Sequence, residues 1–466
     1  MMNKMAIILA AGQGKRMKSK LYKVLHPVCG KPMVEHVLDA VKGAECGRTV
    51  VVVGHGAEAV KAKLGDEIEY ALQAEQLGTG HAVQQAEALL GQEDGVTVVT
   101  YGDTPLVTAE TIKELIAQHV QQGAAATVLT ADVEDPSGLG RIIRGQDGTV
   151  LRIVEQKDCS AEEAAISEIN TGTYCFDNRM LFSALAEVTN DNAQGEYYAT
   201  DVIGILRGRG ERIAASKCKD PVEGTGVNDR IGLGEAERLM RLRINEAHQA
   251  NGVTIVDAAN TYIEAGVTIG ADTVIYPGTL LRGATSIGSD CVIGPSADLK
   301  DTTVGDGTTI RQTVTEGADI SEGCNVGPFA YLRPGTKLGR QVKVGDFVEI
   351  KNAAIGADSK IPHLSYIGDA IVGSGVNFGC GAITANYDGY NKSMTEIGDQ
   401  AFIGSNSNLV APVKIGSGAY VVAGSTITSN VADNDLAIAR ERQVNKPGYA
   451  DKIRARAQAK KNKETE

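Results

Sequence analysis

Apolar positions recur every six residues along the second half of the chain. Ile263, Ile269, Ile275, Leu281, Ile287, Ile293 and Leu299 keep this spacing. It resumes at Ile320, Val326, Leu332, Leu338, Val344 and Ile350, and again at Ile397, Ile403, Leu409, Ile415, Val421 and Ile427. Neither a helical period nor a two-residue strand period produces this pattern. A hexapeptide repeat does, and it predicts a parallel β-helix in which three hexads close one triangular coil. The aliphatic residue points inward, and Gly or Asn turns the corner where φ is positive. Spaced about 4.8 Å apart, the stacked strands give roughly nine coils and a height of roughly 40–45 Å.

The first half follows a different pattern. Ile7-Ile8-Leu9, Val50-Val51-Val52-Val53 and Val96-Thr97-Val98-Val99-Thr100 are short apolar runs of the kind that form central parallel strands. Helical patterns lie between them, around residues 34–41, 57–64 and 80–90. This alternation predicts an α/β, Rossmann-like open sheet with ligands at the carboxyl ends of its strands. Residues 230–252 carry a rough apolar stripe on a charged background and end on Asn251-Gly252, as a helix does. The expected organisation is a first domain over 1–229, a linker helix over 230–252 serving as a semi-rigid spacer, and a β-helix with a basic tail over 253–466.

Composition narrows the partners. The chain has 466 residues, too many for one core, and a net charge of −12, which argues against broad nucleic-acid binding. Eight scattered cysteines without a C-x-x-C pair predict reduced, mostly packed thiols in a cytoplasmic protein, with neither a disulfide frame nor a zinc site. The apolar run at residues 6–11 is too short to span a membrane and reads as a strand, not a signal peptide. Residues 438–466 hold nine basic and four acidic side chains, net +5. A nucleic-acid arm and a tail packed on a neighbouring subunit both fit that charge, and disorder is expected over 460–464.

Candidate chemistry sits at the strand ends and at breaks in the repeat. Ala10-Ala11-Gly12-Gln13-Gly14-Lys15-Arg16-Met17 is small and glycine-rich, so its backbone can approach a phosphate or a base closely. It is neither a Walker A loop nor G-x-G-x-x-G. Lys15, Arg16, Lys18, Lys20 and Lys23 either neutralise a triphosphate or form a solvated face. Asp103, at the end of a strand, either holds Mg²⁺ or caps the next helix. On the β-helix, Arg333 and Lys351 are cations suited to a sugar phosphate or to solvent. His363 near Tyr366 is either a structural histidine or a general base poised near neutral pH. The hexads break again at residues 385–392, which reads as a loop excursion.

Leu9 through Met17, followed by Lys23-Val24-Leu25, resembles the signature of sugar-1-phosphate nucleotidyltransferases. Gln73-Ala74-Glu75-Gln76-Leu77-Gly78-Thr79-Gly80-His81-Ala82 and Asn190-Asp191-Asn192-Ala193-Gln194-Gly195-Glu196-Tyr197-Tyr198 narrow the match. With the hexads, the chain resembles, over nearly its full length, the bacterial bifunctional N-acetylglucosamine-1-phosphate uridyltransferases/glucosamine-1-phosphate N-acetyltransferases. The resemblance implies a left-handed coil, a homotrimer, and UTP, acetyl-CoA and sugar-1-phosphates as substrates with Mg²⁺ as cofactor. It implies that Leu9, Ala10, Ala11, Gly12, Gln73, Gly78 and Thr79 hold the uracil nucleotide, with Arg16 and Lys23 on its phosphates. It also implies that Tyr101, Gly102, Gly140, Glu155 and Asn170 line the sugar pocket and that Asp103 and Asn228 bind Mg²⁺. Asp220-Pro221-Val222-Glu223-Gly224-Thr225, just before Asn228, departs from the family pattern. In the β-helix the resemblance makes His363 the base. It puts Arg333 and Lys351 on the phosphate and Tyr366, Asn377, Asn386 and Lys392 around the acceptor. Cys380, Asn386, Tyr387, Ser405, Ala423 and Arg440 then contact acetyl-CoA. An acyl-cysteine at Cys380 is disfavoured, since direct transfer needs only a base and an oxyanion donor. Two other identities share this layout: a nucleotidyltransferase/acyltransferase for another sugar-1-phosphate or nucleotide, and a regulatory subunit of the translation-exchange-factor type. Joint retention of Lys23, Asp103, Asn228 and His363 speaks against the latter.

Overall fold

The computed structural model describes residues 2–146 and 148–463. They fall into two compact units, Met1–Ala250 with Tyr262–Val267, and Asn251–Thr261 with Thr268–Glu466.

The first unit is built on a sheet. Its strand order is Ile213–Lys217, Ala126–Asp132, Glu168–Asp177, Val96–Tyr101, Lys4–Ala10, Arg48–Val53, Glu69–Leu72. Neighbours run parallel except around Glu168–Asp177, which is antiparallel to both strands beside it. In Lys4–Ala10, Met5, Ile7 and Leu9 face one core while Ala6, Ile8 and Ala10 face the other. Both faces are covered, which is why the run is apolar without alternation. Leu9 is level with Tyr101, Ala10 with Val53, and Val53 with Leu72. The loops that leave these strands therefore emerge along one edge.

Helices Met33–Gly43 and Ala57–Leu64 occupy the expected positions. The 80–90 pattern resolves into two short helices, Thr79–Gln84 and Glu87–Leu90. The helix Arg230–Ala250, expected as a semi-rigid spacer, belongs to the first unit. Its Ala236 and Met240 pack with Val28, Met33, Leu106 and Val227 into a small separate core, so the middle of its apolar stripe is buried within the first unit while Ile231 stays exposed.

The second unit is a parallel β-helix. Ile275, Ile293, Ile310, Val326 and Val344 stack in register, one coil apart. Among the described residues, eleven strands stack on this face, from Thr254–Ile255 to Leu436–Ala437. The coil thus extends past both ends of the strict six-residue spacing. A second inward position lies two residues before the aliphatic one and takes a small side chain: Thr273, Cys291, Thr308, Cys324 and Ser359 are all buried. Thr273 Oγ1 donates to Gly288 O at 2.8 Å and accepts from Cys291 N at 3.0 Å, tying one coil to the next.

Corner chemistry is broader than Gly or Asn. Asp272, Gln312, Phe329, Phe347 and Leu364 all take positive φ there. The glycine after a repeat residue can have a different purpose. A Cβ on Gly404 would stand 2.4 Å from Ala423 N of the next coil, so close stacking excludes a side chain at that point.

The tail forms the helix Tyr449–Lys463, exposed over residues 449–462. The helix covers residues 460–463, where disorder was expected, and its Ala, Arg, Lys and Gln composition favours helix. Glu464 lies outside the described residues.

Candidate active sites

At the carboxyl edge of the sheet, Leu9, Ala10, Ala11, Gly12, Lys23, Gln73, Gly78, Thr79, Tyr101, Asp103 and Asn228 line one cavity of about 340 Å³. Gln76 and Glu196 line it too, although the sequence did not single them out. Lys23 Nζ pairs with Asp103 and donates to Asn228 Oδ1 at 2.8 Å. Arg16 Nη2 donates to the same Asn228 oxygen at 2.9 Å. The Lys23 and Asp103 side chains are only 13% and 19% exposed, so water and salt screen the pair weakly. Gly14 makes room for the lysine: at φ +61, a Cβ there would stand 2.5 Å from Lys23 Cβ.

Asp103 does not cap a helix. Thr108 caps the next one, Ala109–Gln122, by accepting from Thr111 N. The atypical segment before Asn228 forms a 3-10 turn, Pro221–Gly224, capped by Asp220. Buried Glu223 accepts from Thr108 N and Thr108 Oγ1, both at 2.9 Å. Val227 N donates to Asp103 O at 2.9 Å. The turn thereby delivers Asn228 to Asp103 despite its unusual sequence. Because both side-chain oxygens reach one ammonium nitrogen, they are close enough to share a single cation, and both are the oxygen donors that Mg²⁺ prefers. Among the described residues, no cluster of three or more His, Cys, Asp or Glu could hold a metal.

Gly102, Gly140, Glu155 and Asn170 do not line that cavity. Gly102 N donates to Leu9 O at 2.9 Å beneath it. The other three meet one another: a Cβ on Gly140 would lie 3.5 Å from Asn170 Cβ and 3.6 Å from Glu155 Oε1. Burial raises the Glu155 carboxyl, against a bond from Thr200, with Asp158 and Asp201 adding to the rise. Tyr101 connects the two groups. Burial raises its phenol, Glu155 adds to the rise, and a bond with Thr79 opposes it.

On the β-helix, Asp369 gathers a second cluster. It accepts from Asn352 Nδ2 at 2.7 Å and from Asn386 Nδ2, and Lys351 Nζ lies 3.8 Å away. Burial pushes its carboxyl up, but the bonds from Asn352 and Asn386 and the charges of Lys351 and Lys392 outweigh that and hold it low. Lys392 is lowered by its neighbour Lys351. Asn386 Nδ2 also donates to Tyr366 OH at 3.4 Å. Arg333 Nη1 pairs with Glu349 at 2.7 Å.

His363 Nδ1 lies 2.9 Å from Asp346 Oδ1. That contact holds the aspartate below the usual carboxylate range. The corners place His363, Cys380, Ser405 and Ala423 on successive coils, each just before a corner residue whose N–H bonds the coil below. Arg440 Cδ would lie 3.9 Å from a Cβ on Gly424, one coil further. Asn377 sits in a strand level with Lys360 and Phe402, apart from this column. Tyr387 stands exposed on the excursion, its hydroxyl donating to Gly389 O. On the β-helix, Asp346 and Asp369 are the residues that sequence reasoning missed. The signal was available for Asp346, which precedes His363 by 17 residues, or one coil.

Residues 5–220 match the nucleotidyl transferase family, and residues 394–429 match the bacterial transferase hexapeptide repeats. Three relatives, each named bifunctional protein GlmU, align with nearly the whole chain. The protein from Brevibacillus brevis is 60% identical over 96% of this chain and 97% of its own length. That from Geobacillus sp. strain WCH70 is 58% identical over 97% and 99%. That from Bacillus subtilis strain 168 is 56% identical over 96% and 98%. No helix among the described residues is long and apolar enough to cross a membrane. With a nucleotidyl transferase unit and a hexapeptide unit in one chain, and relatives matched from end to end, the protein belongs to the GlmU family of bifunctional enzymes with uridyltransferase and acetyltransferase activity.

Proposed function

We propose that the chain makes UDP-N-acetylglucosamine from glucosamine-1-phosphate. Residues 253–466 transfer acetyl from acetyl-CoA, and residues 1–229 then couple the product to UMP. The observation that carries this is the presence, in one chain, of a cation-lined cavity at a sheet edge and a histidine–aspartate pair on a β-helix.

In the first reaction the sugar amine attacks the acetyl carbonyl. The C–N bond forms, the C–S bond breaks, and the coenzyme leaves as a thiol. His363 takes the amine proton on Nε2, because Nδ1–H is held by Asp346. Arg333 and Lys351 bind the sugar phosphate, and Tyr366, Asn377, Asn386 and Lys392 surround the acceptor. The column from His363 through Cys380 and Ser405 to Ala423 spans three coil steps, roughly 15 Å, which suits an extended thioester arm. Asn386, Tyr387 and Arg440 join it in holding acetyl-CoA.

In the second reaction the sugar-1-phosphate oxygen attacks the α-phosphorus of UTP, and pyrophosphate leaves in line. A phosphate is already a nucleophile, so positioning and charge neutralisation by Lys23 and Arg16 suffice. Leu9 to Gly12, Gln73, Gly78 and Thr79 hold the nucleotide. Tyr101, Gly102, Gly140, Glu155 and Asn170 hold the sugar. Asp103 and Asn228 hold Mg²⁺, which when bound neutralises phosphate charge. The enzyme is cytoplasmic and a homotrimer. Exposed Phe329, Phe347 and Leu364, one coil apart and each following or adjoining the Asp346–His363 column, give a second copy an apolar strip to cover.

A paired assay tests both halves. Pyrophosphate release from UTP, Mg²⁺ and N-acetylglucosamine-1-phosphate reports one site. Free thiol from acetyl-CoA and glucosamine-1-phosphate reports the other. Both signals are expected. Pyrophosphate without thiol would leave His363 structural, and silence in both would overturn the assignment.

A further inference from the structure

Gln73 is 3% exposed and lines the nucleotide cavity. Its amide nitrogen Nε2 has two partners, Gly78 O and His81 Nδ1, each at 3.1 Å. A carbonyl oxygen only accepts, so the nitrogen end of the amide must face Gly78. His81 Nδ1 must then accept as well, which puts the imidazole proton on Nε2. The other end, Oε1, can only accept.

The frame around this amide is fixed. Gly78 has φ +120, and a Cβ there would stand 2.5 Å from Tyr197 O. Gly80 N donates to Tyr197 O at 2.7 Å, and Tyr197 N donates to Leu77 O at 2.8 Å. The His81 ring lies 6.4 Å from the Tyr197 ring, centroid to centroid. Turning the amide over would set Oε1 against the Gly78 carbonyl, a repulsion that no tautomer relieves, and would oblige the His81 proton to move from Nε2 to Nδ1.

We propose that Gly78 and His81 lock the Gln73 amide as an acceptor. It then selects bases whose ring nitrogen carries a proton, uracil and thymine, over cytosine, whose ring nitrogen accepts. His81 is a positioning residue for base choice, acting through Gln73. The lock rests on the nucleotide site proposed above.

The test compares kcat/KM for UTP and CTP in pyrophosphate release by the full chain. His81→Phe keeps a ring beside Tyr197 but removes the acceptor. It is expected to narrow the UTP-to-CTP preference by up to about tenfold, the equivalent of one hydrogen bond. His81→Asn, whose side-chain oxygen reaches the place of Nδ1, is expected to restore the preference. Acetyl transfer by the same preparations reports that the chain is folded. A wild-type ratio in His81→Phe, or an equal loss on both nucleotides, would overturn the lock. Absence of UTP turnover in the unsubstituted chain would instead sink the nucleotide site itself.

Discussion

The two sites are assembled by opposite routes. In the first unit, Lys23 meets Asn228 across 205 residues and Arg16 meets it across 212, so the site exists only when distant strand ends converge. On the β-helix, Asp346–His363, Asn352–Asp369 and Asp369–Asn386 are each 17 residues apart, and neighbouring coils suffice. Enclosure differs in step. The Lys23 and Asp103 side chains are 13% and 19% exposed, whereas those of His363 and Asp346 are 59% and 43% exposed. One site is closed by its own chain. The other is an open corner, tied by a hydrogen bond between neighbouring coils but bare on its outer side.

Mirror substitutions test that independence most forcefully. His363→Ala is expected to lower acetyl transfer by roughly 10²–10⁴-fold, the worth of a general base, and to leave pyrophosphate release intact. Lys23→Ala is expected to do the reverse, lowering turnover in pyrophosphate release by roughly 10²–10³-fold with little change in sugar binding. Loss of both activities from either change would contradict two self-contained sites. A smaller effect sharpens the local picture of the corner. Asp346→Asn keeps the shape but weakens the hold on Nδ1–H, and acetyl transfer should fall about tenfold. An unchanged rate would make Asp346 a bystander.

The smallest effect concerns acid. Six of the seven histidines precede residue 250. One of them, His119, is buried on the helix Ala109–Gln122, with Nδ1 3.0 Å from Thr127 Oγ1. Burial pushes its imidazole from 6.5 down to about 4. The unfolded chain binds that proton below about pH 6.5, while the folded chain does not until about pH 4. Its contribution is therefore intact above pH 6.5 and is lost as pH falls towards 4, by at most about 3 kcal/mol. After incubation at pH 5 and return to neutrality, pyrophosphate release should recover less than acetyl transfer, and His119→Gln should narrow the gap. Equal recovery in the unsubstituted chain would remove His119 from the account.

What was legible in the sequence followed the same division. The six-residue spacing exposed the β-helix because each coil repeats a local rule, and strand-end loops were visible as glycine-rich breaks after apolar runs. Asp346 and Asp369 were missed because their partners lie on the next coil, a relation that an aliphatic count does not display. The role of Glu223 was hidden for the opposite reason. Its partner, Thr108, lies 115 residues away, and only the folded sheet brings them together. Corner glycines looked like turn residues, yet at Gly404 the constraint is the backbone of the following coil.

The hairpin that closes at Tyr387 and Lys392 leaves the coil without breaking it. Ile383–Ala385 still pairs in register with Asn408–Val410, and Ala370–Val372 with Thr395–Ile397. Extra chain at such a corner is therefore invisible to the ladder on either side of it. A lineage can lengthen, shorten or exchange that segment, and so revise what sits over the cluster at Asp369, while inheriting the same stack unchanged.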